Sequence, residues 1–165
     1  MRIRFPDGTS VTACSLAERR DDDSERDFGL YLDARWAPTW PAEVVDWPDF
    51  GLPASREAAA DQIVAAFGRA RNRERVEVGC LGGLGRTGTV LACMAVLAGV
   101  PPAEAVAWVR TNYDVRAVET EEQADWVAWF AARAGTQPRR RGRHEIRPES
   151  GLRAAGSGTG TRSRE

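Results

Sequence analysis

Lysine is absent from this chain of 165 residues, whose 23 basic residues are all arginines. Its absence excludes mechanisms that need a reactive lysine amine, such as Schiff-base chemistry. Histidine is almost absent as well, because the one histidine, His144, lies in a C-terminal stretch rich in arginine, glycine and serine. A cysteine protease needs a histidine base beside its nucleophile, so the sequence argues against that class.

Cysteine is scarce too. Cys14, Cys80 and Cys93 are odd in number and show neither metal-ligand spacing nor a disulfide framework, which is typical of a reducing compartment. Residues 1–8 contain a proline and an aspartate where a signal peptide needs an apolar run. The longest apolar stretch, residues 89–100, is too short to span a bilayer. We therefore expect a cytoplasmic protein with no metal, no other cofactor and no membrane partner.

The charge is unevenly distributed along the chain. Residues 1–134 hold 15 arginines and 21 acidic residues, whereas residues 135–165 hold 8 arginines and 3 acidic residues. The acidic body argues against a nucleic-acid partner bound through bulk charge. The C-terminal stretch has too few apolar residues to offset the entropy cost of ordering. The sequence therefore predicts one folded domain over residues 1–134 and a disordered tail over residues 135–165.

The hydrophobic pattern predicts an α/β protein. Strands are predicted at 1–5, 9–14, 28–33, 42–46 and 75–79, and helices at 55–71, 88–98, from 101 onward and at 120–134. Strands and helices alternate from residue 42, an order typical of a central, mostly parallel sheet flanked by helices. We expect a single domain with the strand at 75–79 in the centre of the sheet. In this class, ligands bind at the carboxyl ends of the strands.

A glycine-rich loop follows that central strand. It runs Cys80-Leu-Gly-Gly-Leu-Gly-Arg86, and Thr87 and Gly88 come next. Unpaired backbone N–H groups at a helix N-terminus bind anions, and an arginine can hold two phosphate oxygens at once. The same positive potential stabilises the thiolate form of a cysteine, which is the reactive form. The loop is therefore predicted to hold a phosphate beside the Cys80 sulfur.

Two other phosphate-binding motifs fit the loop less well. Its glycines have the G-X-G-X-X-G spacing of a dinucleotide fingerprint, but Pro101, Pro102 and an amphipathic helix stand where that fold needs a second strand ending in an acid. A Walker loop requires glycine at position 80 and lysine at position 86, and the chain has neither. Neither nucleotide-binding class is favoured.

A candidate acid lies upstream, in the segment Trp47-Pro-Asp-Phe-Gly-Leu-Pro53. Transfer of a phosphoryl group to a thiolate leaves an oxygen that needs a proton. Asp49 lies among Trp47, Phe50 and two prolines, an apolar setting that favours a protonated carboxyl group, and Gly51 offers a hinge. Asp49 is therefore predicted to be the general acid.

Together, Cys-X5-Arg-Thr and the preceding Trp-Pro-Asp-Phe-Gly resemble the cysteine-dependent protein tyrosine phosphatase superfamily, in particular its small dual-specificity branch, over residues 28–132. The resemblance implies a phosphatase-like fold in which Cys80 is the nucleophile and Asp49 the general acid and then base. Thr87 would assist departure of the sulfur in the second step. Phosphate binding is assigned to the Arg86 guanidinium and to the backbone amides of Leu81, Gly82, Gly83, Leu84, Gly85 and Arg86.

A third motif, residues 118–123, looks like the glutamine loop of that superfamily. The resemblance implies that Gln123 and Glu119 position the hydrolytic water, with Glu119 standing where classical members often carry glutamine. Thr120 and Gln123 also form the pattern of a helix capping box, which explains both residues without catalysis. Both interpretations of this segment stay open.

The residue before the cysteine departs from the superfamily pattern. Most members have a histidine there that helps to hold the loop and to keep the thiol ionised, whereas this chain has Gly79. The Cys80 thiolate is therefore expected to depend mainly on the loop amides and on Arg86.

These features lead to a functional hypothesis. The resemblance implies an enzyme that hydrolyses phosphotyrosine through a cysteinyl-phosphate, with phosphoserine and phosphothreonine as further candidates and a phosphorylated protein or peptide as partner. Two alternatives are a phosphate-reading module without turnover and a phosphatase acting on a non-protein phosphomonoester. Retention of Asp49 and Thr87, which a reader does not need, favours the enzyme.

Overall fold

The computed structural model describes residues 1–18 and 26–136, and these form five strands and four α-helices. The strands are β1 (Arg2–Arg4), β2 (Ser10–Ser15), β3 (Phe28–Tyr31), β4 (Ala42–Val44) and β5 (Val76–Cys80). The helices are α1 (Arg56–Arg71), α2 (Gly85–Leu97), α3 (Ala105–Asn112) and α4 (Glu121–Thr136), and a 3-10 helix, Pro102–Glu104, leads into α3.

The strand that carries the cysteine occupies the centre of the sheet. The strand order is β1-β2-β5-β3-β4, and all neighbours are parallel except β1 and β2. All five residues of β5 are buried, as expected for a parallel strand covered on both faces. Its one charged residue, Glu77, accepts a hydrogen bond from the Tyr31 hydroxyl at 2.5 Å. The predicted α/β fold, with a mostly parallel sheet flanked by helices, is confirmed.

The core explains why α2 has almost no polar face. This helix lies against β5 and against each of the other three helices, so its sides are covered in several directions. Leu91 and Met94 of α2 are fully buried, and so are Ile63 and Phe67 of α1. A helix that is apolar all round is stable in water only in such an interior position. Packing on α2 therefore fixes the position of its N-terminus at the end of β5.

Two of the differences from the predicted helix boundaries bear on the site and on the predicted tail. α2 begins at Gly85 rather than at residue 88, because the last residues of the glycine-rich stretch already have helical geometry. Arg86 and Thr87 therefore stand on the first turn of a helix. α4 continues through Thr136, two residues beyond its predicted end. The rest of the predicted tail, residues 137–165, lies outside the described residues.

Length and hydropathy of the described helices bear on whether one of them could span a bilayer. None of those found in residues 1–18 and 26–136 is long and apolar enough to cross one.

A matched pair of substitutions on α1 tests the packing. Ile63 is fully buried, whereas the next residue, Val64, is 39% exposed. Ile63→Ala should lower the free energy of unfolding by about 2 to 5 kcal/mol, because it removes buried methyl groups and leaves a cavity. Val64→Ala should change it by no more than about 0.5 kcal/mol. Urea denaturation followed by tryptophan fluorescence measures both, and equal losses would contradict the orientation of α1.

Candidate active site

Cys80 lies at the carboxyl end of β5, where the chain turns into α2. Its side chain is buried, and the Thr87 hydroxyl donates a hydrogen bond to its sulfur at 3.1 Å. Thr87 reaches the sulfur because α2 begins at Gly85, which brings its first turn back over the loop. A hydroxyl in this position stabilises negative charge on the sulfur.

The loop between β5 and α2 turns its carbonyl groups outward. The Cys80 carbonyl accepts from the backbone N–H of Leu16 at 2.9 Å, and the Leu81 carbonyl accepts from the Ser15 hydroxyl at 2.9 Å. The Gly83 carbonyl accepts from the Tyr113 hydroxyl. Because a trans peptide places its N–H opposite its C=O, these outward carbonyls turn the N–H groups of Leu81, Gly82 and Leu84 inward, whereas the Gly83 N–H donates back to the Cys80 carbonyl at 3.2 Å. Such a ring of N–H groups is an anion-binding nest.

Gly83 occupies a position that only glycine fits. Its φ is +68°, in the left-handed region. A side chain there would also meet the backbone of β2, because a Cβ would lie 3.0 Å from the Ser15 Cα. The loop is therefore pressed against the end of β2.

Arg86 is buried and rigidly oriented. Its Nη1 donates to the carbonyls of Leu32 and Trp47, each at 2.8 Å. Its Nε is buried and has no hydrogen-bond partner among the described residues, and its Nη2 lies 3.0 Å from Asp49 Oδ1. The edge formed by Nε and Nη2 is the edge with which an arginine binds two oxygens of one phosphate.

A second carboxylate balances the charge of that guanidinium. Asp33 is buried, and its Oδ2 lies 3.7 Å from Arg86 Nη1. Hydrogen bonds from the Arg35 side chain, together with its backbone N–H and the charges of both arginines, lower the pKa of Asp33 to about 2 in spite of its burial. Asp33 is thus ionised at any pH near neutrality and compensates part of the cost of burying Arg86.

Asp49 reaches the site, but its surroundings differ from those predicted. Its side chain is 55% exposed, and its Oδ1 lies 3.0 Å from the Arg86 guanidinium. The reason is that Trp47 turns inward, where its Nε1 donates to the Gly51 carbonyl at 2.8 Å, while Phe50 turns outward and is 61% exposed. The expected apolar setting of Asp49 is therefore wrong.

The segment with Glu119 and Gln123 also lies against the loop. A Cβ on Gly85 would fall 2.0 Å from Glu119 Oε2, so this carboxylate covers the start of α2. Gln123 accepts from the Glu119 N–H at 2.8 Å, and its own N–H donates to the Thr120 hydroxyl at 3.2 Å. Gln123 is fully buried, and its Nε2 has no hydrogen-bond partner in the described part. The hydrogen bond between Gln123 and Thr120 at the start of α4 and the contact of Glu119 with the loop thus occur together.

The sheet leaves no space for a side chain at Gly79. A Cβ there would lie 2.5 Å from the sulfur of Cys14, its partner in the register of β2 and β5. Cys14 therefore fills the space that a histidine before Cys80 would need.

Several residues of the site have no sequence signal. Ser15 and Tyr113 bind loop carbonyls through their hydroxyl groups. Arg110 donates to the Ala117 and Val118 carbonyls at 3.0 and 2.9 Å and supports the segment before Glu119. The contacts of Ser15, Tyr113 and Arg110 form only when the chain folds, so residue spacing in the sequence does not reveal them. No cluster of three or more potential metal ligands occurs in the ranges 1–18 and 26–136.

Comparison with known proteins gives a curated relative from an archaeon. In Methanocaldococcus jannaschii, the protein described as "Uncharacterized protein MJ0215" is 37% identical over 110 residues, which cover 59% of this chain and 66% of that protein. The match thus spans just under two thirds of that relative.

Solved structures share the fold. Tk-PTP in its active form superposes with a TM-score of 0.64 and 26% identity over 79% of this chain and 97% of that chain. A kinase associated phosphatase with a serine in place of its catalytic-site cysteine has a TM-score of 0.66 at 14% identity, over 84% of this chain and 97% of that one, and shows the fold alone.

A family model matches more than half of the chain. Its description is "PTP-SAK: Swiss Army Knife protein, DSP-PTPase phosphatase domain", and it covers residues 52–147. This range includes the loop from Cys80 to Arg86 and begins three residues after Asp49. The resemblance recognised in the sequence is confirmed, and the chain belongs to the dual-specificity-type phosphatase domain family of the cysteine-based protein tyrosine phosphatases.

Proposed function

We propose that this protein is a phosphomonoester hydrolase that forms a cysteinyl-phosphate on Cys80, with phosphotyrosine in a protein or peptide as its preferred substrate. The observation that carries the proposal is that Thr87, Arg86 and Asp49 meet around the end of β5, where Cys80 lies. Thr87 contacts the Cys80 sulfur, and the Arg86 guanidinium is held by two carbonyls with its other edge beside Asp49.

In the first step the Cys80 thiolate attacks phosphorus, and the bond between phosphorus and the leaving oxygen breaks. The Arg86 fork and the loop amides of residues 81–86, apart from the Gly83 N–H that binds the Cys80 carbonyl, bind the equatorial oxygens, where negative charge is spread in phosphoryl transfer. Asp49 gives its proton to the leaving oxygen. Its exposure at the mouth of the site and its contact with Arg86 support this role, because it stands beside the group that would bind phosphate.

In the second step water attacks the phosphorus of the cysteinyl-phosphate, and the sulfur leaves. Asp49, now ionised, accepts a proton from the water. Gln123 and Glu119 position this water, a role supported by the buried Nε2 of Gln123 and by the contact of Glu119 with Gly85. Thr87 donates to the sulfur as it regains negative charge.

The preference for an aryl phosphate rests on apolar side chains beside the site residues. Four large apolar side chains of the described part are exposed on the segments that carry Asp49, Cys80 and Glu119: Phe50, Leu52, Leu81 and Val115. An exposed apolar group near a polar anchor favours a ligand with an apolar body next to its charge. The phenyl ring of phosphotyrosine has this form, whereas phosphoserine has no ring to contact these residues.

A reducing compartment such as the cytoplasm suits this chemistry. Cys14, Cys80 and Cys93 form no disulfide in the described part of the chain, and a thiolate nucleophile must stay reduced to react. Burial raises the pKa of the Cys93 thiol well above its usual range, so that Cys93 is unreactive.

Substitution of the nucleophile tests the reaction class. The wild type should release phosphate from tyrosine-phosphorylated peptides faster than from matched serine- and threonine-phosphorylated peptides, phosphoinositides and nucleotides. Cys80→Ser should release none from any of them, because a serine hydroxyl is not ionised near neutral pH. Isothermal titration should still detect phosphopeptide binding by Cys80→Ser. A wild type that binds phosphopeptide yet is as inert as Cys80→Ser would identify a phosphate-reading module.

Substitution of the acid tests the mechanism. Asp49→Asn should lower the rate of phosphate release from phosphotyrosine peptides by about 10²- to 10⁴-fold, the usual worth of general acid catalysis. The loss should be much smaller for an aryl phosphate whose leaving group is acidic enough to depart without a proton. Asp46→Asn, which changes an exposed aspartate three residues away, is the control and should retain the wild-type rate. A loss in Asp49→Asn that is independent of the leaving group would remove Asp49 from the role of acid.

A further inference from the structure

Different elements hold the two halves of the anion loop. The first half rests on β2 and the residues after it: Leu16 binds the Cys80 carbonyl, and both the Ser15 hydroxyl and the Ala17 N–H bind the Leu81 carbonyl. The second half also lies against the end of β2 at Gly83, but the Gly83 carbonyl is bound from α3, because the Tyr113 hydroxyl at the end of that helix donates to it. A single side chain thus joins α3 to the loop.

The bond from Tyr113 controls the direction of one peptide group. The peptide between Gly83 and Leu84 is planar, so a carbonyl held toward α3 turns the Leu84 N–H to the opposite side, into the loop. Glycine adopts both signs of φ at little cost, which leaves a peptide next to Gly83 less restricted than its neighbours. An external hydrogen bond is the kind of contact that selects one orientation at such a position.

The chemistry of Tyr113 suits a permanent donor. Burial, reinforced by the nearby charges of Cys80 and Cys14 and by Asp114, raises the pKa of the Tyr113 hydroxyl well above its usual range. The hydroxyl therefore stays protonated across the pH range in which a cysteine phosphatase works. A neutral donor can bind the carbonyl without bringing a second negative charge near Cys80.

The site needs such support because of Gly79. Cys14 leaves no space for a side chain at this position, so a histidine placed before Cys80 cannot hold the loop. The chain has one histidine, His144, and it lies outside the described residues. Among the described residues, the second half of the loop is contacted by Glu119, which lies against Gly85, and by Tyr113 at the end of α3, whose hydroxyl binds the Gly83 carbonyl.

We propose that Tyr113 is a positioning residue of the anion loop: its hydroxyl fixes the Gly83 carbonyl and thereby aims the Leu84 N–H at the bound phosphate and the Cys80 sulfur. Tyr113 takes no part in bond making or breaking. The proposal rests on the proposed function, since it concerns the same loop. The support that a histidine at position 79 would give to the loop comes instead from the end of α3.

Tyr113→Phe removes the hydroxyl and keeps the ring. One inward N–H is then less well aimed at the anion, so inorganic phosphate should inhibit turnover about three- to tenfold more weakly, the usual worth of one hydrogen bond. The midpoint of the pH profile for alkylation of Cys80 by iodoacetamide should move upward by about half a unit to one unit. Peptide mass spectrometry separates the reaction of Cys80 from that of Cys14 and Cys93.

The other tyrosine of the chain provides a matched control. Tyr31 is fully buried, and its hydroxyl donates to Glu77, three residues before Cys80 on β5, and accepts from Trp40 Nε1 at 2.9 Å. Tyr31→Phe also deletes one hydroxyl from a tyrosine of the folded domain, and it should lower thermal stability. The alkylation midpoint and the inhibition by phosphate should remain those of the wild type, because a merely structural loss does not reach the loop amides.

The outcomes separate the two proposals. If the wild type releases phosphate and both readouts are unchanged in Tyr113→Phe, the positioning role is wrong. It is equally wrong if Tyr31→Phe shifts both readouts as far as Tyr113→Phe does. If the wild type neither releases phosphate nor is protected from iodoacetamide by inorganic phosphate, the proposed function itself fails.

Discussion

The burial of the Arg86 guanidinium is the constraint on which the rest of the site depends. A buried charge is costly unless its donors are paired. Here one nitrogen donates to the carbonyls of Leu32, just after β3, and of Trp47, in the segment of the acid. These two bonds tie the end of a strand and the acid-bearing segment to the first turn of α2. The bonds that hold Nη1 of the guanidinium therefore also assemble the site.

Two carboxylates, those of Asp33 and Asp49, lie beside the Arg86 guanidinium and differ in their surroundings. Asp33 is buried, held by Arg35 and ionised at neutral pH, so it is a fixed counter-charge behind Arg86. Asp49 is exposed and contacts the other side of the guanidinium. A group that must exchange protons in each half of a reaction needs access to solvent, whereas a group that compensates a buried charge must not exchange at all. The difference in their burial matches these two tasks.

How much could be read from the sequence depends on where each interaction lies along the chain. Cys80, Arg86 and Thr87 are recognisable because their chemistry is contained in one short stretch between a strand and a helix. The order of elements predicted the parallel sheet and its centre at β5, which is confirmed. The partners of Arg86 were not predictable, because they are backbone carbonyls that any residue type provides. Tyr113 was not recognised either, since its bond to Gly83 joins residues thirty positions apart.

The central claim is that the loop holds a phosphoryl group on the Cys80 sulfur during turnover. The most direct test is to mix the protein with a phosphotyrosine peptide, quench in acid within the first turnover and locate phosphate by peptide mass spectrometry. We expect a phosphoryl group on Cys80. The amount should be larger in Gln123→Ala if Gln123 positions the water. Release of phosphate from the peptide with no phosphorylated Cys80 at any quench time would contradict it.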